Sequence, residues 1–229
     1  SGTIGAMGNN GTGVVGVNWN VQIMALKFLN ADGSGYTSGA VQAVQYATAM
    51  GAKLTSNSWG GGGASTSLFD AISASRNAGM LFIAAAGNDG TNNDSSFTYP
   101  ANYDLDNVIS VAATDRNDDR AWFSNYGATT VDLGAPGVDI LSTTPGNKYS
   151  SFNGTSMATP HVAGVAALAW STKTNSTYQE IRDAIFTGVD PVSSMASVTV
   201  TGGRLNAFAT LQNLNPHKGS VELSQDSYG

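Results

Sequence analysis

Ser156 stands in the string GTSMATPHVAG, residues 154–164, and this is the stretch of the chain best suited to chemistry. Gly154, two residues before it, lets the backbone bend sharply and a ligand approach with no side chain in the way. From Met157 to Trp170 the sequence is apolar on every side, with Met157, Val162, Val165, Ala166, Leu168 and Trp170 among small residues. That pattern predicts a buried helix. Ser156 would sit at its mouth, beside unpaired N–H groups and the positive end of the helix dipole, and both suit an oxyanion. Pro160 takes away one backbone donor near the first turn, so the carbonyl of Ser156 is expected to lack its helical partner. Taken alone, Ser156 is equally an ordinary N-cap.

A serine nucleophile needs a base within hydrogen-bond reach, and histidine is the usual one because its pKa lies near neutrality. The chain has two histidines, His161 and His217. His161 follows Ser156 inside the predicted helix, which turns its side chain away, so it reads as structural. His217 falls in a stretch that reads as linker.

Composition narrows the classes. The chain has 229 residues, enough for one large α/β domain with a substantial core. Charged residues make up 11% and glycine alone fills 28 positions, so Ser, Thr, Asn and backbone must cover much of the surface. This suits a secreted, loop-rich protein. A net charge of −6 with ten scattered Lys and Arg argues against nucleic acid as a partner. No apolar stretch reaches membrane-spanning length, so no membrane partner is expected, and a monomer is. The absence of cysteine excludes disulfides, thiolate metal sites and a cysteine nucleophile.

The elements that must position Ser156 alternate along the chain. Val21–Leu29 is an apolar run of strand length, Gly39–Met50 has helical spacing, and Lys53–Trp59 reads as a strand ending in Gly60–Gly63. A helix follows from about Ser67 to Ala78. Leu81–Asn88 and Val108–Thr114 are short continuous apolar strands of the kind buried on both faces of a parallel sheet. Ile140–Thr143 and Tyr149–Phe152 form a hairpin over Pro145-Gly146-Asn147, and Tyr178–Thr187 is an amphipathic helix. The alternation predicts an α/β fold with three layers, a mostly parallel central sheet flanked by helices.

The string GTSMATPHVAG resembles the nucleophile motif of the subtilisin-like serine proteases, and the resemblance extends along most of the chain. It implies a serine endopeptidase acting on peptide or protein substrates through an acyl-enzyme on Ser156. In AAAGN, Asn88 matches the family's oxyanion-hole asparagine, whose side-chain NH2 acts with the backbone N–H of Ser156. As a bare residue, Asn88 after Gly87 is also a turn former. Ser58, Trp59, Gly60 and Gly61 match one wall of the pocket for the side chain before the scissile bond, which Gly87 adjoins, and a large apolar or aromatic side chain is expected there. Tyr99-Pro100-Ala101 matches the segment opposite. Gly33, Ser34 and Gly35 match a strand edge offered to the substrate, where side-chain-free backbone suits an added peptide strand. Asp-Gly at 32–33 equally makes a plain turn.

The resemblance also implies structural calcium. Asn10 would offer its side-chain oxygen, with the carbonyls of Thr12 and Val14, and an oxygen-only set suits a hard cation. An ordinary Gly and Asn turn remains the other reading of that loop. Asp132 matches an acidic ligand of a second, weaker site completed by carbonyls near Ala101 and Tyr103, or it is a solvated Asp. Gly203–Leu211 looks like the family's last helix. Residues 1–212 thus read as the peptidase domain lacking its N-terminal part, and 213–229 as linker and the start of a following segment.

In the family the order is Asp, His, Ser, and neither histidine here precedes Ser156. The opening Ser1-Gly2 resembles the tail of the HGTH motif, which would put the base about five residues upstream and the acid earlier still. The chain alone is therefore expected to lack normal activity. Two further readings are a catalytically dead module that grips extended peptides and an α/β-hydrolase esterase. The latter lacks the GxSxG elbow around Ser156.

Overall fold

Leu81–Ala85 and Val108–Thr114 are buried at every position, the condition of strands in a parallel sheet covered on both faces. The computed structural model describes residues 1–215. Its strands are β1 (Leu54–Asn57), β2 (Leu81–Ala85), β3 (Val108–Thr114), β4 (Leu133–Pro136), β5 (Ile140–Thr144), β6 (Lys148–Phe152), β7 (Asp190–Pro191) and β8 (Gly203–Arg204). Its helices are α1 (Gly2–Gly5), α2 (Thr37–Ala49), α3 (Thr66–Asn77), α4 (Thr155–Thr172), α5 (Tyr178–Thr187) and α6 (Ala207–Leu214). The central sheet runs β1-β2-β3-β4-β8-β7, and β5 with β6 makes a separate hairpin. All pairings in the central sheet are parallel except β7 with β8.

Alternation along the strands builds the three layers, because successive side chains point to opposite faces. Leu81, Ile83, Ile109 and Val111 pack with Val162 of α4 and with Ile181 and Ile185 of α5. Phe82, Ala84 and Val108 turn the other way, onto Val44 of α2 and Leu68 and Ile72 of α3. Helix α4 is the pivot, touching β1, β2, β3 and β4. Its small residues let neighbours close in: a Cβ on Gly164 would stand 2.7 Å from Cβ of Val17. Helix α5 starts at a capping box, Thr177 receiving the Glu180 N–H while the Glu180 carboxylate accepts the Thr177 N–H.

Three expectations change. Val21–Leu29 forms no strand and pairs with none among the described residues, and Ile23 and Met24 are exposed. An apolar run becomes a strand only where a neighbour offers a free ladder, and here a cleft separates it from β1. That cleft, about 1330 Å³, is lined by 21–29 on one side and by β1, α2 and α4 on the other. Gly203–Leu211 is not one helix. Gly203 and Arg204 join the sheet through Gly134 and Asp190, and the helix starts only at Ala207, capped by Asn206. Helix α6 then runs to Leu214, past the expected boundary at 212, while residues 216–229, with His217, lie outside the described residues.

Candidate active site

Gly154 is the N-cap of α4 with φ 152° and ψ 157°, a conformation open to glycine. The turn it makes aims the first N–H groups of α4 at the end of β2. Thr155 donates its backbone N–H to Oδ1 of Asn88 at 2.9 Å and its hydroxyl to the same oxygen at 3.0 Å. The Thr155 hydroxyl in turn accepts the Gly87 N–H at 3.2 Å. With Oδ1 taken twice, the amide of Asn88 is fixed and its Nδ2 faces the other way. A point where Gly154 would carry a Cβ lies 3.6 Å from Nδ2 of Asn88 and 3.6 Å from the backbone N of Ser156. Two N–H donors thus flank one space, which the Met157 sulfur also borders at 3.6 Å. As the second residue of α4, Ser156 has no intrahelical acceptor for its N–H. A carbonyl oxygen held there would stand beside the Ser156 hydroxyl.

The orphaned Ser156 carbonyl has found a partner outside the helix, accepting the Ser58 hydroxyl at 2.8 Å. The Ser156 hydroxyl donates to the Ser58 carbonyl at a long 3.4 Å, a weak contact easily given up. Ser58 follows β1, so the sheet edge and the helix mouth meet at Ser156. Trp59 packs inward, edge-on to Phe28 at 5.1 Å and to Phe82 at 6.4 Å between ring centroids. Gly61 donates its N–H to the Tyr99 carbonyl at 3.0 Å, which brings Gly60 and Gly61 against Tyr99, whose bond to Pro100 is cis. The methyl of Thr98 lies 3.8 Å from where Gly60 would carry a Cβ and 3.3 Å from the same point on Gly87.

His161 faces elsewhere. Its Nδ1 lies 2.9 Å from the Met157 carbonyl. Burial holds its pKa below the ordinary histidine range, opposed by hydrogen bonds to the Met157 and Pro136 carbonyls. Among the described residues it is the one histidine, and no imidazole meets Ser156.

Gly33, Ser34 and Gly35 are exposed at a turn closed by Asn30, whose N–H donates to the Ser34 carbonyl at 2.8 Å and whose Oδ1 accepts the Ser34 N–H at 2.9 Å. Asn10 uses its Oδ1 to accept the Thr12 N–H at 3.0 Å, closing a local turn, and Val14 follows it, half-buried. Ala101 and Tyr103 are buried, and the Tyr103 hydroxyl is tied to the Ser65 backbone. Asp132 accepts the Ser110 N–H at 2.7 Å. Burial pushes its carboxyl up to about 7, against the pull of the Ser110 N–H and the charge of Arg182. No group of three or more His, Cys, Asp or Glu gathers into a metal site among the described residues. Of the residues that shape the centre, Thr155, Thr98 and Asn125 escaped the sequence reading. Thr155 lay in the motif, but nothing in the order of residues says its hydroxyl reaches Asn88.

The family model described as the Subtilase family matches residues 1–218. Alkaline elastase YaB of Bacillus sp. (strain YaB) is 48% identical over 168 residues, 73% of this chain and 43% of that protein. Subtilisin DY of Bacillus licheniformis is 43% identical over 186 residues, 81% of this chain and 66% of that protein. Subtilisin BL of Lederbergia lenta is 41% identical over 210 residues, 91% of this chain and 74% of that protein. The chain thus spans 43% and 66% of the length of the first two relatives.

Proposed function

This chain belongs to the subtilase family, and from that premise we propose that its site cleaves peptide bonds by acyl transfer, as a serine endopeptidase. The observation that carries the reading is the space beside Gly154, flanked at 3.6 Å by both Asn88 Nδ2 and the Ser156 N. The Ser156 oxygen attacks the peptide carbonyl carbon while a base takes its proton. The carbonyl oxygen, now negative, is held by the two N–H donors. Collapse expels the amine, which leaves with that proton, and water then hydrolyses the ester on Ser156 by the same route. The histidine that acts as base comes, in this reading, from sequence preceding Ser1, and Ser1 and Ser156 line the same cleft.

The substrate is an extended peptide in a protein or peptide chain, met by Ser58–Gly61 and Gly87. With the Thr98 methyl between those walls, the pocket suits an apolar side chain of small to medium size, narrower than the large or aromatic group expected from the glycines alone. A panel of peptides varied at that position checks this, and a preference for acidic residues would overturn it. We place the protein outside the cell, as a monomer, on its low charge and neutral polar surface. Among the described residues no helix is long and apolar enough to cross a membrane.

Calcium is proposed at two places. Asn10, Thr12 and Val14 supply three oxygens where such an ion takes six to eight, so other groups must complete the site. Asp132, with the carbonyls of Ala101 and Tyr103, would hold the second, and a cation there would offset the cost of ionising a buried carboxyl. Bound, the ion would lock loops and take no part in peptide cleavage.

The test is labelling of the full-length protein with a fluorophosphonate, with peptide hydrolysis measured alongside. Both should occur and both should vanish in Ser156→Ala. Labelling that survives in Ser156→Ala sinks the nucleophile assignment. Peptide binding without labelling or hydrolysis in the full-length protein would favour a module that only grips peptides. Activity of residues 1–229 alone would refute an upstream base.

A further inference from the structure

Asn125 is fully buried; its backbone N–H and both ends of its side-chain amide are spent on the loop that bears Asn88 or on the residues beneath it, while its carbonyl accepts the Ser124 hydroxyl at 3.0 Å. Its backbone N–H donates to the Gly87 carbonyl at 2.9 Å. Its Oδ1 accepts the Asp89 N–H at 2.9 Å and the Thr91 N–H at 3.2 Å. Its Nδ2 donates into the carbonyl of Ala86 at 3.2 Å, Oδ1 of Asn93 at 3.0 Å and Oγ1 of Thr98 at 3.2 Å. One side chain therefore grips the residues on both sides of Asn88. Gly87 is shaped to admit it: at φ 115°, a Cβ on Gly87 would lie 2.4 Å from Nδ2 of Asn125. The neighbouring segment completes the clasp, Gly90 donating to the Phe123 carbonyl at 2.7 Å.

We propose that Asn125 is a positioning residue for the oxyanion donor, holding the backbone at 87 and 89 so that the amide of Asn88 meets Thr155 on one side and the space beside Gly154 on the other. The inference rests on the endopeptidase reading and deepens it. A buried amide that satisfies two donors and three acceptors fixes one arrangement, because any shift of the loop strands a polar group away from water. A donor must stand within a few tenths of an ångström of its place to serve a developing charge, so loss of this clasp is felt in turnover more than in binding.

The experiment is a double-mutant cycle in the full-length protein, with Asn125→Ala, Asn88→Ala and the two combined. Asn125→Ala should lower kcat about ten- to a hundred-fold, part of what a whole oxyanion donor contributes, with KM held within about threefold. In the Asn88→Ala background the same change should move kcat by less than about threefold, since the donor it aims is gone. Asn102→Ala is the control. It loosens the same cluster through the Asn93 carbonyl and the Thr98 N–H without touching residues 87–91, and should lower the melting temperature but leave kcat near the parent. Asn125→Ser, too short to span both amides, serves the cycle if Asn125→Ala does not fold. Equal kcat losses in both backgrounds, a loss carried by KM, or a matching kcat loss in Asn102→Ala would overturn the proposal. If Asn88→Ala itself leaves kcat unchanged, the oxyanion reading fails first, a separate outcome.

Discussion

Asn88 can act as a donor because another residue has settled which way its amide points. The Thr155 N–H and hydroxyl both take its oxygen, leaving Nδ2 for the open side. Thr155→Val keeps the shape and the backbone bond but removes the hydroxyl, and should lower kcat about tenfold with little change in KM. Asn88→Ala should cost about a hundred- to a thousand-fold in kcat, a magnitude carried over from a subtilisin rather than derived from this geometry. Steady-state kinetics on one peptide separates the two, and a Thr155→Val effect confined to KM would detach Thr155 from the donor. His161 predicts a different signature. Burial keeps its folded pKa below the ordinary value, so the unfolded chain takes a proton first as pH falls. The stability tied to neutral His161 is complete above about pH 6.5 and is lost as pH drops toward the depressed folded pKa. His161→Gln should flatten that slope in urea midpoints between about pH 8 and about pH 5 while peptidase activity persists. Loss of activity with an intact fold would reopen the question of the base.

Helix α4 does two things that pull against each other: it must be buried on every side, and it must deliver an exposed hydroxyl at its first turn. Small residues reconcile them, letting α1 and four strands crowd against it. Gly164 tests this. On propensity alone, Gly164→Ala should stabilise a helix interior by about 1 kcal/mol. The new Cβ would stand 2.7 Å from Cβ of Val17 and 3.2 Å from both its methyls, and such overpacking costs about 1–3 kcal/mol. The clash should win, and denaturant unfolding should show Gly164→Ala less stable than the parent. Gly164→Ala paired with Val17→Ala should recover part of the loss, and no recovery would place the strain elsewhere. Pro160 shows the same economy: the carbonyl it orphans at Ser156 is met by Ser58, just past β1, so a break in the helix becomes a tie to the end of the sheet.

At the scale of the described residues, β1 ends the central sheet, and the cleft between it and residues 21–29 leaves the face beside Ser156 wide. If calcium binds as proposed, saturating it at about a hundred times Kd should add about 2.7 kcal/mol of stability, and a chelator should take it away. Scanning calorimetry with calcium and with chelator checks this in the parent, in Asn10→Ala and in Asp132→Asn. An unchanged melting temperature in the parent would remove both sites. Loss of the calcium response in one variant alone would assign it to that loop.

What the sequence alone determined was local or periodic. Val108–Thr114 and Tyr178–Thr187 have the bounds their patterns predict, because burial of a strand and one apolar helix face are written in neighbouring residues. The Ser156 motif was equally legible, being one contiguous string. Tertiary structure decided what depends on residues far apart. Val21–Leu29 has a strand's composition but no ladder among the described residues, since hydrogen-bond partners are not encoded in the run itself. Gly203 and Arg204 left a helical pattern for the sheet because Gly134 and Asp190 offered pairing. Nothing in the string FSNYG marks Asn125, and only the fold brings it under Gly87 and Asp89, where a buried amide has no choice but to bind what surrounds it.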